Sequence, residues 1–103
     1  MRVAFRMQLI KGKEAEYKRR HDELWPELRA LLKANGIRDY YIFLQEETAG
    51  LFGVLDIDDP KALDNLPEHA VMKKWWDHMS DIMDTNPDKS PVSVPLKEVF
   101  YLP

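Results

Sequence analysis

The fold is decided by the stretch Ile37-Arg38-Asp39-Tyr40-Tyr41-Ile42-Phe43-Leu44-Gln45, which has the pattern of a β-strand. Successive side chains point to opposite faces of a strand, and both faces here are apolar or aromatic: Tyr40, Ile42 and Leu44 on one, Tyr41 and Phe43 on the other. A second strand-like run, Leu51–Asp58, follows a short turn that contains glycine, which predicts a β-hairpin. A sheet with two wetted sides would not have this pattern.

A strand and a long helix precede the hairpin. Val3–Leu9 has apolar residues at every second position, which predicts a half-buried strand. The helix is predicted to run to about Ala34, because Asn35-Gly36 is a favourable pair for ending a helix. Pro26 has no N–H to donate and its ring crowds the preceding turn, so we expect a kink or break near Trp25.

A second helical region and a last strand follow the hairpin. The helical region starts at Asp59-Pro60, is expected to break at Pro67, and keeps helical spacing as far as Met83. A polar loop then leads to a predicted strand at Leu96–Leu102. The order β-α-β-β-α-β is the split βαβ pattern. We therefore predict one α+β, ferredoxin-like domain of the dimeric α/β-barrel type over residues 1–103, its antiparallel sheet covered by two helices on one face.

The uncovered face of the sheet predicts an assembly. Two helices cover one face, whereas the hairpin is apolar on both, so either a ligand pocket or a second sheet should fill the other face. A face-to-face homodimer is favoured, because a domain of 103 residues has a small core and gains buried area by pairing.

Composition excludes several classes of protein. The 15 basic and 18 acidic residues give a net charge of −3 without long blocks of one sign, so neither nucleic acid nor an anionic membrane is an expected partner. The absence of cysteine excludes disulfides, thiol nucleophiles and thiolate metal sites. No run resembles a signal peptide or a membrane span, so a cytoplasmic protein is expected.

One face of the first helix combines a phenol, an imidazole and an indole. Tyr17, His21 and Trp25 recur every four residues and therefore share this face with several leucines. Such a surface suits a small hydroxylated ligand, because rings stack on its C–H faces and polar tips reach its hydroxyls. The other interpretation, a core histidine bound to a backbone carbonyl, stays open at this point.

The pair Trp75-Trp76 is open to two interpretations as well. Successive helical residues point about 100° apart, so we expect one indole in the core and the other at the surface. The functional interpretation instead places an indole at the mouth of the His21 pocket. Tyr40 has the same ambiguity, since it lies on a strand that is apolar on both faces.

Other kinds of chemistry lack support in the sequence. His21, His69 and His78 do not have the i, i+4 spacing of a helical metal site, so no metal is predicted. The serines lie in no nucleophile elbow, and the four glycines form neither a dinucleotide fingerprint nor a P-loop. With no cofactor motif, acid–base chemistry by His21 remains.

Four segments of the chain form a collinear set of motifs: Tyr17-Lys18-Arg19-Arg20-His21 with Trp25-Pro26-Glu27-Leu28, Trp75-Trp76 with Met79, Asn86-Pro87-Asp88-Lys89-Ser90-Pro91-Val92, and Glu98-Val99-Phe100-Tyr101-Leu102-Pro103. Together they resemble the L-rhamnose mutarotase family. The resemblance spans the whole chain. It implies an isomerase that interconverts the α and β anomers of L-rhamnose by ring opening and reclosure, as a homodimer without cofactor or metal.

The resemblance also implies roles for five residues. His21 corresponds to the proton donor, and Tyr17, Tyr40, Trp75 and Trp76 correspond to positions that contact the sugar. An imidazole with a pKa of about 6.5 can give and retake a proton near neutrality. Two alternatives remain: a cofactor-free oxygenase of the dimeric ferredoxin-like type that uses the same histidine and tryptophans, and a sugar-binding module without catalysis.

Overall fold

The computed structural model describes all 103 residues as one four-stranded sheet with four helices. The elements are β1 Arg2–Gln8, α1 Glu14–Asp22, α2 Pro26–Ala34, β2 Ile37–Gln45, β3 Gly50–Ile57, α3 Ala62–Asn65, α4 Ala70–Met79 and β4 Val94–Leu96. All neighbouring strands are antiparallel, in the order β2-β3-β1-β4. This confirms the predicted α+β, ferredoxin-like arrangement.

Proline breaks the first helical region into two helices. The residue before a proline avoids the helical conformation, and Trp25 is extended, with φ −62° and ψ 133°. Pro26 then occupies the first turn of α2, where its missing N–H costs nothing. At the other end of α2, Gly36 adopts a φ of +79°, which side chains disfavour. The predicted break and the predicted end of the helix are both confirmed.

The second helical region is shorter than its pattern predicts. A single 3₁₀ turn, Leu66–Glu68, separates α3 from α4, and α4 ends at Met79 rather than Met83. Beyond it, the backbone N–H of Ile10 donates to the Ile82 carbonyl at 2.9 Å. Ile82 and Met83 remain buried, so their helical spacing reflected burial and not a continuing helix.

The predicted last strand is wrong in its extent. Strand β4 ends at Leu96, and residues 97–103 have no regular structure. Leu96 pairs with Ala4 in antiparallel register, and β1 begins at Arg2. An extension of β4 therefore has only two residues of β1 left to pair with, which leaves Val99–Leu102 exposed.

The core lies between the helices and one face of the sheet. It consists of fifteen buried hydrophobic residues: Met7, Leu9, Tyr17, Leu28, Ile37, Ala49, Leu51, Leu55, Ile57, Leu66, Met72, Trp75, Met79, Ile82 and Met83. A bulge in β2 keeps Ile37 on this side, because the register shifts by one residue between Arg38 and Tyr41. Asp39, within the bulge, has a φ of 49°.

The opposite face, called here the bare face, has no helix over it. The strand register places on it a mainly apolar central group, Ala4, Arg6, Tyr41, Phe43, Phe52, Val54, Val94 and Leu96, with the polar residues Arg2, Gln8, Arg38 and Asp56 toward the strand ends. Tyr41 and Phe43 are 57% and 58% exposed. The prediction that the sheet is apolar on both faces, but covered on only one, is thus confirmed.

Candidate active site

A cavity of about 1100 Å³ opens between the helices and the sheet. Its volume exceeds the space that one monosaccharide needs, and its walls are mostly apolar or aromatic. The five residues that the sequence singled out all line it: Tyr17, His21, Tyr40, Trp75 and Trp76. They come from α1, β2 and α4, which are brought together only by the fold.

The ring of His21 is held by its own helix. Its Nδ1 lies 3.0 Å from the backbone carbonyl oxygen of Tyr17, one turn earlier. A carbonyl oxygen only accepts hydrogen bonds, so Nδ1 carries the proton and donates it. In the neutral ring, Nε2 is then the nitrogen with a lone pair. That nitrogen makes no hydrogen bond within the chain and is free to bind a ligand.

Aromatic rings surround the imidazole on two sides. The phenol of Tyr17 lies over it with 4.3 Å between the ring centroids, and the indole of Trp75 meets it edge-on at 5.3 Å and 89°. Trp25, turned inward by the break at Pro26, packs edge-on against Trp75 at 5.1 Å. These contacts fix both the position and the tilt of His21.

Burial shifts the protonation of the polar groups in the cavity. The loss of water lowers the pKa of His21 below 6.5, although its bond to the Tyr17 carbonyl works in the opposite direction. Burial also raises the pKa of the Tyr17 hydroxyl, and the nearby Tyr40 hydroxyl raises it further. At neutral pH the imidazole is therefore mostly neutral and both phenols keep their protons.

Tyr40 reaches the cavity because of the bulge in β2. The residue is 38% exposed as a whole, yet its phenol lies where burial raises the pKa of the hydroxyl. Neither this hydroxyl nor that of Tyr17 makes a hydrogen bond within the chain, so both can donate to a ligand. Bulges commonly re-aim side chains beside active sites.

The floor of the cavity next to Tyr40 is the ring of Phe5. Phe5 pairs with Gly53 across the sheet, and its ring meets that of Tyr40 edge-on at 6.1 Å. A Cβ atom at Gly53 would lie 2.5 Å from the Phe5 ring, so the ring can lie flat on the strand only because residue 53 is glycine. Phe5 has no functional signal of its own in the sequence, although its place in the strand pattern puts it on the covered face.

The loop at residues 86–91 closes another part of the cavity wall. The side chain of Asn86 donates to Ser90 Oγ at 3.1 Å and to the Pro91 carbonyl at 3.3 Å. The backbone N–H of Ser90 donates to Asp88 at 3.0 Å. The loop is thus folded by its own side chains, and it presents Ser90 and Pro91 to the cavity.

The model of the L-rhamnose mutarotase family matches residues 2–102. The chain belongs to this family. It is 61% identical over 102 residues to the L-rhamnose mutarotase of Brucella anthropi, covering 99% of this chain and 96% of that protein. It is 60% identical over 100 residues to the L-rhamnose mutarotase of Agrobacterium fabrum, covering 97% of this chain and 94% of that protein.

A solved structure has the same fold as this mutarotase-family chain. The crystal structure of an L-rhamnose mutarotase from Formosa agariphila superposes with a TM-score of 0.93 at 51% identity. The match covers 100% of this chain and 99% of that one. The resemblance noted from the four sequence segments is therefore confirmed at the level of family and fold.

The other two histidines, His69 and His78, do not line the cavity. His69 is exposed at the start of α4. His78, expected on a solvated face, is exposed but also lies 5.5 Å from the ring of Trp25 and 5.6 Å from that of Trp75. No three His, Asp or Glu side chains converge so that they could hold a metal ion. None of the helices combines the length and apolar character needed to span a bilayer.

Both interpretations of Trp75-Trp76 describe part of the structure. Trp75 is 6% exposed and belongs to the core, whereas Trp76 is half-buried, as the packing interpretation expects. Both nevertheless line the cavity, as the functional interpretation expects. The two interpretations coincide because the cavity borders the core.

Proposed function

We propose that this protein interconverts the α and β anomers of L-rhamnose, with His21 moving the proton. One observation carries the proposal: the imidazole is half-buried, has a lowered pKa and is fixed through Nδ1, and its Nε2 is free in a cavity of sugar size or larger. Membership of the L-rhamnose mutarotase family supports the choice of sugar.

The reaction needs one group that both accepts and donates a proton. Nε2 of His21 takes the proton of the anomeric hydroxyl O1, the C1–O5 bond breaks as the C1–O1 double bond forms, and Nε2 returns the proton to O5. The sugar is now an open aldehyde and the imidazole is neutral again. After rotation about C1–C2 the steps run in reverse, and O5 attacks the other face of C1.

The same histidine therefore serves as base and as proton donor within one turnover. O1 and O5 are bonded to the same carbon, so one nitrogen can reach both without a second catalytic residue. A lowered pKa favours the first step, because the neutral form that accepts a proton predominates at neutral pH. Positioned acid–base catalysis contributes roughly 10² to 10⁴-fold, and no cofactor or metal is required for a step that changes no oxidation state.

Tyr17, Tyr40, Trp75 and Trp76 are proposed to bind the sugar. The two phenol hydroxyls have no partner within the chain and lie in the cavity, which suits donors to sugar hydroxyls. The two indoles offer apolar surface to C–H faces and to the C6 methyl group of the 6-deoxy sugar. Burial of that methyl is worth roughly 1–3 kcal/mol of discrimination against a hydroxymethyl group.

We also propose that the protein is a homodimer joined through the bare face. Support comes from its exposed aromatic residues, Tyr41 and Phe43, which lie side by side on the uncovered face of the sheet. The net charge of −3 gives no reason to add nucleic acid or an anionic membrane as partners. The expected cytoplasmic location stays part of the proposal and is tested by cell fractionation.

Saturation-transfer NMR on L-rhamnose tests the function directly. Irradiation of the H1 signal of one anomer should reduce the H1 signal of the other, because exchange carries the saturation across. The exchange rate obtained in this way should rise in proportion to the protein added. Binding of the sugar without faster exchange would contradict catalysis and favour a sugar-binding module. No effect on rhamnose, combined with oxygen consumption on an aromatic substrate, would favour the oxygenase.

A further inference from the structure

The helix that carries His21 is weakly anchored in the core. Of the nine residues of α1, only Tyr17 is buried, and most of the others are charged. A helix with so little apolar surface gains little from packing. His21 nevertheless contacts Trp75 of α4. The geometry of this contact between the two rings therefore depends on what holds α1 and α4 together.

Arg20, next to His21, makes the polar connection between the two helices. Its Nη1 donates to the carbonyl oxygen of His78 at 2.6 Å and to Oδ1 of Asp81 at 2.8 Å. Its Nη2 donates to Oδ2 of the same carboxylate at 3.2 Å, and its Nε donates to Glu16 at 2.7 Å. The side chain is only 11% exposed, whereas the other arginine pairs lie largely in solvent.

The bonds of Arg20 meet α4 close to the ring that His21 contacts. His78 is in the last turn of α4, one turn after Trp75, and Asp81 lies just beyond the helix end. A guanidinium is favourable there, because the carbonyls at the end of a helix carry partial negative charge. The hydrogen bonds from Arg20 lower the pKa of Asp81, and those from Arg19 and then Arg20 lower the pKa of Glu16 to about 2, so both carboxylates stay ionised at neutral pH.

We propose that Arg20 is a positioning residue that fixes the His21 ring against Trp75 by clamping α1 to the end of α4. The part of the inference that concerns catalysis rests on the proposed function, because it assigns the clamp to the same proton transfer. A guanidinium can reach the carbonyl, the Asp81 carboxylate and Glu16 at once, and an ammonium group cannot.

The test is the substitution Arg20→Lys, with Arg19→Lys as its matched control. Arg19 pairs with Glu16 and Glu23, both at 2.6 Å and both on or next to α1, so it makes no bond to α4. Two measurements are made: NMR chemical shifts of the carbon-bound ring protons of His21, and the kcat and KM of anomer exchange. Asp81→Asn is a milder second variant, which keeps the bonds of Arg20 to His78 and Glu16.

Arg20→Lys should shift the His21 ring protons, because their ring-current shifts depend on the distance to Trp75. It should also lower kcat roughly 10- to 100-fold with KM changed less than about two-fold, since a small misplacement of a catalytic group affects chemistry more than binding. Asp81→Asn should produce the same changes at smaller size. Arg19→Lys should leave both measurements at the wild-type values.

Unchanged His21 shifts in folded Arg20→Lys and Asp81→Asn proteins would overturn the inference. So would a kcat that falls by the same factor in Arg19→Lys, because that result would point to the ion pairs within α1 and not to the bonds between Arg20 and α4. A wild-type protein without anomer exchange would contradict the proposed function instead. In that case the ring shifts alone still decide whether Arg20 positions His21.

Discussion

Both faces of the sheet carry apolar residues, but only one of them is covered by helices. On the helix-facing side, Leu51 and Leu55 are buried in the core and Phe5 forms the floor of the cavity. On the bare face, Phe43 and Val94 are as apolar but more than half exposed. The same alternating strands therefore border a cavity on one side and leave an exposed apolar surface on the other.

The two faces also differ in the polar groups that they carry. The cavity is lined mostly by apolar residues, and its polar lining includes the imidazole of His21 and the phenol hydroxyls of Tyr17 and Tyr40. The bare face carries Arg6, whose guanidinium lies 5.8 Å from the ring of Phe52, but no histidine. We therefore expect chemistry to depend on the first face and assembly on the second.

The largest expected effect comes from His21→Ala on the cavity side. Anomer exchange should fall roughly 10² to 10⁴-fold, because the variant loses the only group proposed to move the proton. Saturation-transfer NMR measures the rate, and circular dichroism checks that the variant is folded. His69→Ala is the matched control, since that histidine is exposed at the far end of α4 and should have no effect. A folded His21→Ala protein with a near-native rate would make His21 a structural residue.

The next effect concerns the bare face. Phe43→Glu places a charge on a residue that is 58% exposed and lies beside Tyr41 and Phe52 in the proposed interface. The dimer dissociation constant should rise roughly 30-fold or more, as for loss of an interface hot spot of about 2 kcal/mol. We expect exchange activity to fall with assembly, because the same strand borders the cavity on its other side.

Light scattering and sedimentation check this effect on the bare face. Ala30→Glu, on the exposed side of α2, adds the same charge away from the sheet and should leave the dimer intact. A wild-type protein that is monomeric at micromolar concentration would contradict the proposed assembly. An active, monomeric Phe43→Glu protein would show that catalysis on the cavity side does not depend on assembly through the bare face.

Local signals predicted most of the fold. Pro26 and Gly36 act within one helical turn, so the break and the helix end followed from single residues. The last strand did not follow from sequence, because its length depends on where β1 begins and not on the apolar run Val99–Leu102 itself. The bulge in β2 was also missed, although Asp39 is a residue type that tolerates a positive φ.

The candidate site was predictable to a similar degree. Helical spacing predicted that Tyr17 and His21 share one face, and their rings are in contact on α1. The contact between His21 and Trp75 depends on the packing of two helices far apart in sequence, so spacing alone could not supply it. The same holds for Arg20, whose partners lie 58 and 61 residues away. The catalytic and binding roles of these residues stay predictions.

A smaller effect is expected where core and cavity meet, at the two tryptophans. Trp76→Phe should raise the KM for L-rhamnose a few-fold and erode the preference for it over L-mannose, which carries a C6 hydroxyl, by up to roughly 10-fold. Trp75→Phe should also lower stability, because Trp75 is 6% exposed and packs against Trp25. Exchange kinetics on both sugars, with saturable quenching of indole fluorescence by rhamnose, measure these changes. Wild-type kinetics in both variants would assign the pair to packing alone.

The smallest effect is the pH dependence that burial gives to the cavity side. Burial lowers the pKa of His21 below 6.5, the ordinary value for histidine. At pH 6.5, more than half of the protein molecules should therefore have a neutral, active imidazole. The rate should therefore be level from pH 8 to 7, and its midpoint should lie below 6.5. The unfolded chain takes up the proton first, so stability should also decrease as the pH falls below 6.5. A rate midpoint or an NMR titration of His21 above 6.5 would show that the imidazole is not desolvated.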